Sequence, residues 1–188
     1  MRVAYLAPEG TFTWETAQLV ARERGWPADT EFVPYPDGEA IVAAVARGEA
    51  DFGVAAVATS LAGERGGLRR AAEQAEHVRI AGEHQRVCHY TLMAPAGASL
   101  QSLRTVRSVQ KALDDCTGWL KAHLPGVILE RTASTGMAAQ SLAGSRDTSI
   151  AAVAPPAAAA RHGLVALADN IEDDPENWTR WLILEHVG

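Results

Sequence analysis

Three places in this 188-residue chain set glycine or small hydroxyl residues directly after a strand-like run: Gly10-Thr11, Thr59-Ser60 and Ser134-Thr135. In open α/β sheets ligands bind beyond the carboxyl ends of the strands. A helix starting there offers unpaired N–H groups and about half a positive charge. Several such ends would together hold a compact ligand bearing carboxylates. The same residue types also serve as plain helix caps, so types alone leave both readings open. A further candidate is Asn177-Trp178-Thr179-Arg180-Trp181, which follows an acidic loop and leads a strand. Strand alternation puts Thr179 and Trp181 on one face and Arg180 on the other. On composition alone Arg180 reads as a solvated or ion-paired structural arginine. The sequence has no Ser-His-Asp spacing, no phosphate loop and no clustered metal ligands. His84 and His89 stand five apart in an extended segment, a poor metal spacing, and read as surface or cleft histidines.

The elements that must position these groups alternate between strand and helix, as in parallel βαβ units. Strands are expected at Arg2–Leu6, Glu31–Tyr35, Asp51–Val57, Thr105–Ser108, Val127–Glu130, Thr148–Val153, Leu164–Ala168 and Trp178–Glu185. Helices are expected after Thr11 or Thr13 as far as Gly25, at Gly38–Arg47, at Lys111–His123, from Ser134-Thr135 to about Leu142, and from Pro155-Pro156 to His162. Thr59-Ser60 opens a further turn or helix. Val78–Glu83 and Val87–Met93 read as two extended pieces around Gly82-Glu83-His84-Gln85. Two blocks of strand–helix units joined by extended crossings imply two lobes, with the ligand in the cleft between them.

Composition bounds the partners. Apolar residues make up 47% and the formal net charge is −6, which argues against nucleic acid and anionic membranes. An anionic ligand must then be attracted locally, by dipoles and a few placed cations. Cys88 and Cys116 are the two cysteines and read as buried free thiols. No signal peptide precedes the first strand and no apolar run is long enough to span a membrane. The expectation is a cytoplasmic protein.

The residues also carry a family resemblance. Ala7-Pro8-Glu9-Gly10-Thr11-Phe12-Thr13 is similar to the G-P-E-G-T-F-S opening of prephenate dehydratases. Asp51-Phe52-Gly53-Val54 with Ser60 and Gly63 resembles the segment holding that family's P-I-E-N-S. Ser108, Ala112, Leu113 and Cys116 fall in register with S-H-P-Q-A-L-x-Q-C. Ser134-Thr135 with Ala138-Ala139 resembles S-T-x-x-A-A, and Ala151-Ala152 through His162-Gly163-Leu164 resembles A-A-I…A-A…Y-G-L. Asn177-Trp178-Thr179-Arg180-Trp181 resembles N-x-T-R-F. The matches run in order along nearly the whole chain.

The resemblance implies an α/β fold of the two-lobed type II periplasmic-binding-protein-like kind with an interlobe active-site cleft. It implies one catalytic domain over residues 1–188, with lobe 1 at about 1–85 plus 166–188 and lobe 2 at about 86–165. No phenylalanine-binding regulatory domain is expected within residues 1–188. The implied reaction takes prephenate, or a close cyclohexadiene analogue, to phenylpyruvate with loss of water and carbon dioxide. Neither metal nor organic cofactor is called for. Thr179 inherits the role of proton donor or hydrogen-bond partner to the leaving hydroxyl. Arg180 either pairs with a carboxylate or braces the strand. Gly10, Thr11, Thr59, Ser60, Ser134, Thr135 and Lys111 are the accompanying candidates for holding a prephenate-like dicarboxylate. Family precedent implies a homodimer.

The departures are as specific as the matches. Ala58-Thr59 stands where the family has E-N, and Val109-Gln110-Lys111 where it has H-P-Q. Lys111 and Trp14 are new. Two other functions therefore stand beside the dehydratase. One is a prephenate decarboxylase that does not aromatise the ring, of the antibiotic-pathway kind. The other is a non-catalytic module that binds a small carboxylate. Retention of Thr179 favours dehydration.

Overall fold

The computed structural model describes residues 1–64 and 66–188. The chain divides into two compact units, Met1–Val87 with Trp178–Gly188, and Cys88–Asn177. Each is an α/β unit built on one mixed sheet.

The first unit contains β1 (Arg2–Leu6), α1 (Phe12–Glu23), β2 (Glu31–Tyr35), α2 (Gly38–Ala46), β3 (Phe52–Thr59), β4 (Gly63–Glu64), α3 (Gly66–Gln74), β5 (Val78–Val87) and β11 (Trp178–His186). Its sheet order is β2-β1-β3-β11-β5, with β4 added to β3. β1 runs parallel to β2 and β3, while β11 runs antiparallel to both β3 and β5. β11 is thus covered on both faces, which is why Trp181–Leu184 is a continuous apolar run and not an alternating one. One face packs against α1, whose buried Thr13, Thr16, Ala17, Val20 and Ala21 form a helical stripe. The other packs on Ile41, Val42 and Val45 of α2 and Ala72 of α3, a core that also takes Leu182 and Leu184.

The second unit contains β6 (Thr91–Ala94), a 3-10 turn at Leu100–Ser102, β7 (Thr105–Ser108), α4 (Gln110–Asp115), α5 (Thr117–His123), β8 (Ile128–Arg131), α6 (Thr135–Gln140), β9 (Ile150–Ala154), α7 (Ala157–His162) and β10 (Val165–Asp169). Its order is β10-β6-β9-β7-β8. β7 is parallel to β8 and β9, whereas β6 is antiparallel to β9 and β10. No helix among the described residues is long and apolar enough to cross a membrane.

Several expectations need correction. The first of the two extended pieces runs on through Gly82-Glu83-His84-Gln85 to Val87, and the second begins at Thr91. β11 pairs with β5 from Val78 to Val87, and Gly82 (φ 151°) lies at the register shift that the ladder absorbs. The helix expected over Lys111–His123 breaks at Cys116. There the Thr117 hydroxyl donates to the Leu113 carbonyl at 3.0 Å, and the Asp173 carboxylate accepts the freed Gly118 and Trp119 N–H groups at 2.7 and 2.9 Å. Of the two readings of Thr59-Ser60, turn or helix, the turn is the one found. Thr59 ends β3, its hydroxyl oxygen accepting the Ala62 N–H, and the helix that follows begins at Gly66. The second crossing falls at Asn177/Trp178 and not near residue 166, because β10 stays paired with β6.

Candidate functional site

The carboxyl ends of β1 and β3, the start of β11 and the end of β5 lie along one edge of the first sheet, because the first two strands are parallel and β11 runs against them. That edge gathers Gly10, Thr11, Thr59, Ser60 and Thr179. Gly10 has φ 84°, a left-handed conformation that suits glycine and turns the chain into α1. Thr11 caps α1: its oxygen accepts the Trp14 N–H at 3.2 Å and its hydroxyl donates to Leu6 O at 3.1 Å. The Ser60 N–H donates to Trp178 O at 2.9 Å, and the Trp178 N–H to Ser60 Oγ at 3.3 Å. This exchange locks the first residue of β11 to the end of β3.

Thr179 sits directly between Thr59 of β3 and Arg86 of β5. Opposed residues in a ladder share a face, so these three side chains form a row on the α1 side. Trp181 continues that face, its indole N–H donating to Thr13 Oγ1 at 3.0 Å. Thr179 is only 9% exposed, yet among the described residues its hydroxyl has no hydrogen-bond partner. Arg86 is firmly held. Its guanidinium reaches Glu15 Oε2 at 2.6 Å and Thr16 Oγ1 at 3.1 Å, and lies 5.6 and 5.8 Å from the ring centres of Phe12 and Trp181. Sequence reasoning missed Arg86 and Glu15, which lie 71 positions apart with no local spacing to join them.

Arg180 projects to the opposite face, as alternation requires. Its Nε and one terminal nitrogen donate to Gln85 Oε1 at 3.0 and 2.9 Å, Glu83 lies 3.5 Å away, and Trp178 stacks 5.4 Å from the guanidinium. Glu83 also binds Arg69 at 2.6 Å, and Arg69 binds Glu64. These partners raise the Arg69 pKa, through hydrogen bonds to Glu64 and then Glu83, and the Arg69 hydrogen bond lowers that of Glu64. The other cross-strand neighbour of Arg180 is Ala58, the position where the family resemblance expects a glutamate. A carboxylate at 58 would face Arg180. In this chain Glu83 of β5 supplies one from the opposite neighbour.

The second sheet has an equivalent edge at the carboxyl ends of β7, β8 and β9. Ser134 caps α6, its Oγ accepting the Met137 N–H at 3.1 Å, and Thr135 is buried behind it. Ser108 is fully buried and donates to Val153 O at 2.6 Å. Lys111 binds Asp115, with Asn177 Oδ1 at 3.5 Å. The Tyr90 hydroxyl also donates to Asp115, at 3.1 Å; burial, then the Asp115 charge, pushes the Tyr90 pKa well up. Burial likewise raises the pKa of the Cys116 thiol. His89 Nδ1 lies 2.6 Å from Glu172 Oε1, and the Tyr90 N–H donates to Glu172 Oε2 at 2.8 Å. The two histidines noted in the sequence are therefore separately engaged, His84 by Glu23 at 3.4 Å and His89 by Glu172.

The comparisons agree with this architecture. The family model described as prephenate dehydratase matches residues 3–187. A bifunctional chorismate mutase/prephenate dehydratase of Neisseria gonorrhoeae is 34% identical over 187 residues, covering 99% of this chain and 50% of that protein. A prephenate dehydratase of Mycobacterium tuberculosis is 31% identical over 194 residues, covering 100% and 59%. The crystal structure of a prephenate dehydratase from Arthrobacter aurescens, in complex with L-Phe, superposes with a TM-score of 0.84 at 27% identity, covering 100% of this chain and 61% of that one. The chain thus spans about half to three fifths of the length of the curated relatives it matches.

Proposed function

Because the chain belongs to the prephenate dehydratase family, we propose that it converts prephenate, or a close cyclohexadiene analogue, to phenylpyruvate with loss of water and carbon dioxide. The observation that carries this reading is the Thr179 hydroxyl, nearly buried at the carboxyl edge of the first sheet and unpartnered among the described residues. A hydroxyl held rigidly between two strands is pre-organised to hydrogen-bond the departing 4-hydroxyl. The bond from the ring to its carboxylate breaks, and that electron pair completes the aromatic ring as the hydroxyl leaves with a proton. On the first unit, taken by itself, the candidate carboxylate contacts are the N–H groups at Gly10-Thr11 with Thr59 and Ser60; on the second, taken by itself, they are Ser134, Thr135 and Lys111. Arg180 acts as a brace for β11.

Replacement of the expected glutamate by Ala58 does not by itself argue for another reaction, since Arg180 retains a carboxylate neighbour in Glu83. Product identification after incubation with prephenate is the test. Phenylpyruvate is expected. A non-aromatic dihydro-4-hydroxyphenylpyruvate would mean decarboxylation alone, and unchanged substrate with measurable binding would mean a binding module. The two cysteines are buried and not joined in a disulfide, which suits a reducing cytoplasm. A homodimer is the assembly to look for by sedimentation.

A further inference from the structure

The second unit has a built edge besides the one that carries Ser134, Thr135 and Lys111. β7 and β8 run parallel, so their amino ends lie together. Each strand has four residues, which sets its amino end about 13 Å from its carboxyl end. Arg104 stands immediately before β7 and Val127 immediately before β8. A cavity of about 360 Å³ lies there, lined wholly from within this unit. Its walls follow from the local sequence. Leu100 belongs to the 3-10 turn ahead of β7, and the Ser102 hydroxyl fixes that turn by donating to Thr148 O at 2.8 Å. Arg104 and Thr105 both donate their N–H groups to Ser149 O, at 2.8 and 3.1 Å, and the Ile128 N–H donates to Arg104 O at 2.9 Å. The other wall is the end of α5 and the turn after it, where Gly126 takes φ 81°, the left-handed region that suits glycine. Leu103 and Leu124, 5% and 6% exposed, join these walls to the interior.

The lining residues include an arginine and a histidine and no acid, in a chain whose net charge is −6. Arg104 Nη1 donates to the carbonyls of Gln101 and Leu103 at 2.9 and 2.8 Å. Those bonds hold the guanidinium by one nitrogen, and among the described residues no carboxylate pairs with it. Arg107 of β7 shows the contrast, because Glu130 takes its Nε–H at 2.7 Å. In Arg104 the edge formed by Nε–H and Nη2–H is left uncommitted. That edge carries two parallel donors spaced for the two oxygens of a carboxylate. His123 has its Nδ1 2.9 Å from Trp119 O and its ring stacked on Trp119, 4.2 Å between centres. A carbonyl only accepts, so Nδ1 carries the proton and Nε2 is the nitrogen left over.

Size and charge name the occupant. An apolar cavity of about 150 Å³ holds benzene, so one of about 360 Å³ takes a six-membered ring with a short arm. One guanidinium matches one negative charge, whereas a phosphate carries about two and asks for more cations than Arg104. We propose that this cavity binds a small hydrophobic monocarboxylate, its carboxylate on the Nε and Nη2 edge of Arg104 and its apolar body against Leu100, Leu103, Leu124 and Val127. The ligand gains two charge-assisted hydrogen bonds, and its body covers leucine and valine surface. The site stands at the opposite edge of the sheet from Ser134, Thr135 and Lys111, and binding there needs no reaction on prephenate.

Calorimetric titration of the full chain with cyclohexylacetate is the test, with backbone amide shifts to locate the ligand. Cyclohexylacetamide keeps the shape and loses the charge; acetate keeps the charge and loses the ring. Cyclohexylacetate should bind with a Kd of about 1 mM or tighter and shift the amides of Leu103, Gly126 and Val127. The amide and acetate should each bind at least about tenfold more weakly, since one lacks the charge-assisted bonds and the other the buried ring. Arg104 is exposed, so Arg104→Gln should melt as the unaltered chain does and lose at least about tenfold in affinity. Leu100→Asp sets a like charge on the wall and should lose as much, while Lys111→Gln should bind as the unaltered chain does. Absence of binding at about 10 mM overturns the proposal. So does equal affinity for the amide, unchanged affinity in a folded Arg104→Gln variant, or a set of shifts confined to Ser134, Thr135 and Lys111. If Arg104→Gln does not fold, unchanged affinity in Leu100→Asp overturns it instead. Phenylpyruvate formation is measured separately, so failure of this site and failure of the prephenate reading are told apart.

Discussion

At the scale of single residues, Thr179 is the position on which the functional reading turns. Removing its hydroxyl deletes a group that supports no other bond among the described residues, so stability should stay within about 0.5 kcal/mol. Thr179→Ala should nonetheless lower kcat about 100-fold, the scale seen when one pre-organised donor is removed from a reaction centre. Thr179→Ser should keep part of the activity, because the hydroxyl survives but loses the stiffness of a β-branched side chain. A Thr179→Ala variant with unchanged turnover would remove Thr179 from the chemistry. Position 58 offers a second measurement. Ala58 is 4% exposed within the core formed with Ile41 and Leu182, so Ala58→Glu must either crowd that core or reach Arg180. It should cost about 1–3 kcal/mol in a denaturant titration and bring no gain in phenylpyruvate formation. A large gain would mean that the chain is a dehydratase damaged at this position. Thr179, its face and the opposite orientation of Arg180 were legible from alternation and the family resemblance. Arg86, Glu15, His89 and Glu172 were not, because each pairs with a partner on a distant element. Charged side chains in isolation look like ordinary surface residues.

At the scale of elements, α2 lies close against the first sheet, and Gly53 is what permits it. A Cβ there would sit 2.7 Å from Ile41 Cγ2 and 3.0 Å from Val45 Cγ2, with Leu184 Cβ at 3.5 Å. The branched methyls next to the helix backbone cannot swing aside. Gly53→Ala should therefore destabilise by about 1–3 kcal/mol through overpacking, seen as a lower urea midpoint at unchanged slope; a neutral result would mean that α2 shifts freely. The Glu15–Arg86 pair ties the first turn of α1 to β5 in the same unit, and Glu15→Gln should raise KM more than it lowers stability, since Thr11 and Gly10 lie at that turn. Elements with strong local signals were readable from the sequence, and β1, β2 and β7 have the residues expected. The misreadings share a cause. Gly82 reads locally as a break, but nine ladder partners on β11 override it. Lys111–His123 reads as one helix, but Asp173, brought from far along the chain, caps a restart at Thr117. Gly66–Gln74 escaped notice because its glycine-rich, arginine-rich start lacks a capping residue pattern.

At the scale of the whole molecule, both units place hydroxyl-bearing or glycine turns at the carboxyl edge of a mixed sheet, and acidity acts on the scaffold around them in two separable ranges. Three carboxylates have pKa values below their ordinary ones: Glu49 by its hydrogen bond to Arg47, Glu64 by that to Arg69, and Asp147 by the Ser149 hydroxyl and N–H. A depressed carboxylate stabilises the fold above its ordinary pKa, and that contribution disappears as pH falls through the folded value. This range lies below the ordinary values of 4.5 and 3.8. These groups are exposed, so the effect is small and weakens with salt. His162 acts at higher pH. Burial, then the neighbouring Arg161 charge, lowers its pKa from the ordinary 6.5. Between those two values the unfolded chain binds a proton that the folded chain refuses, so stability declines as pH drops below about 6.5. The buried Nε2, without a partner among the described residues, is the physical source of that refusal. Calorimetric melting of His162→Gln between pH 7 and 5 should therefore show a flatter dependence than the unaltered chain, with the decline below pH 4 retained. Added salt should soften the lower range more, because desolvation of the buried Nε2 is not screened as surface ion pairs are. An unchanged slope between pH 7 and 5 in His162→Gln would assign the decline to another group.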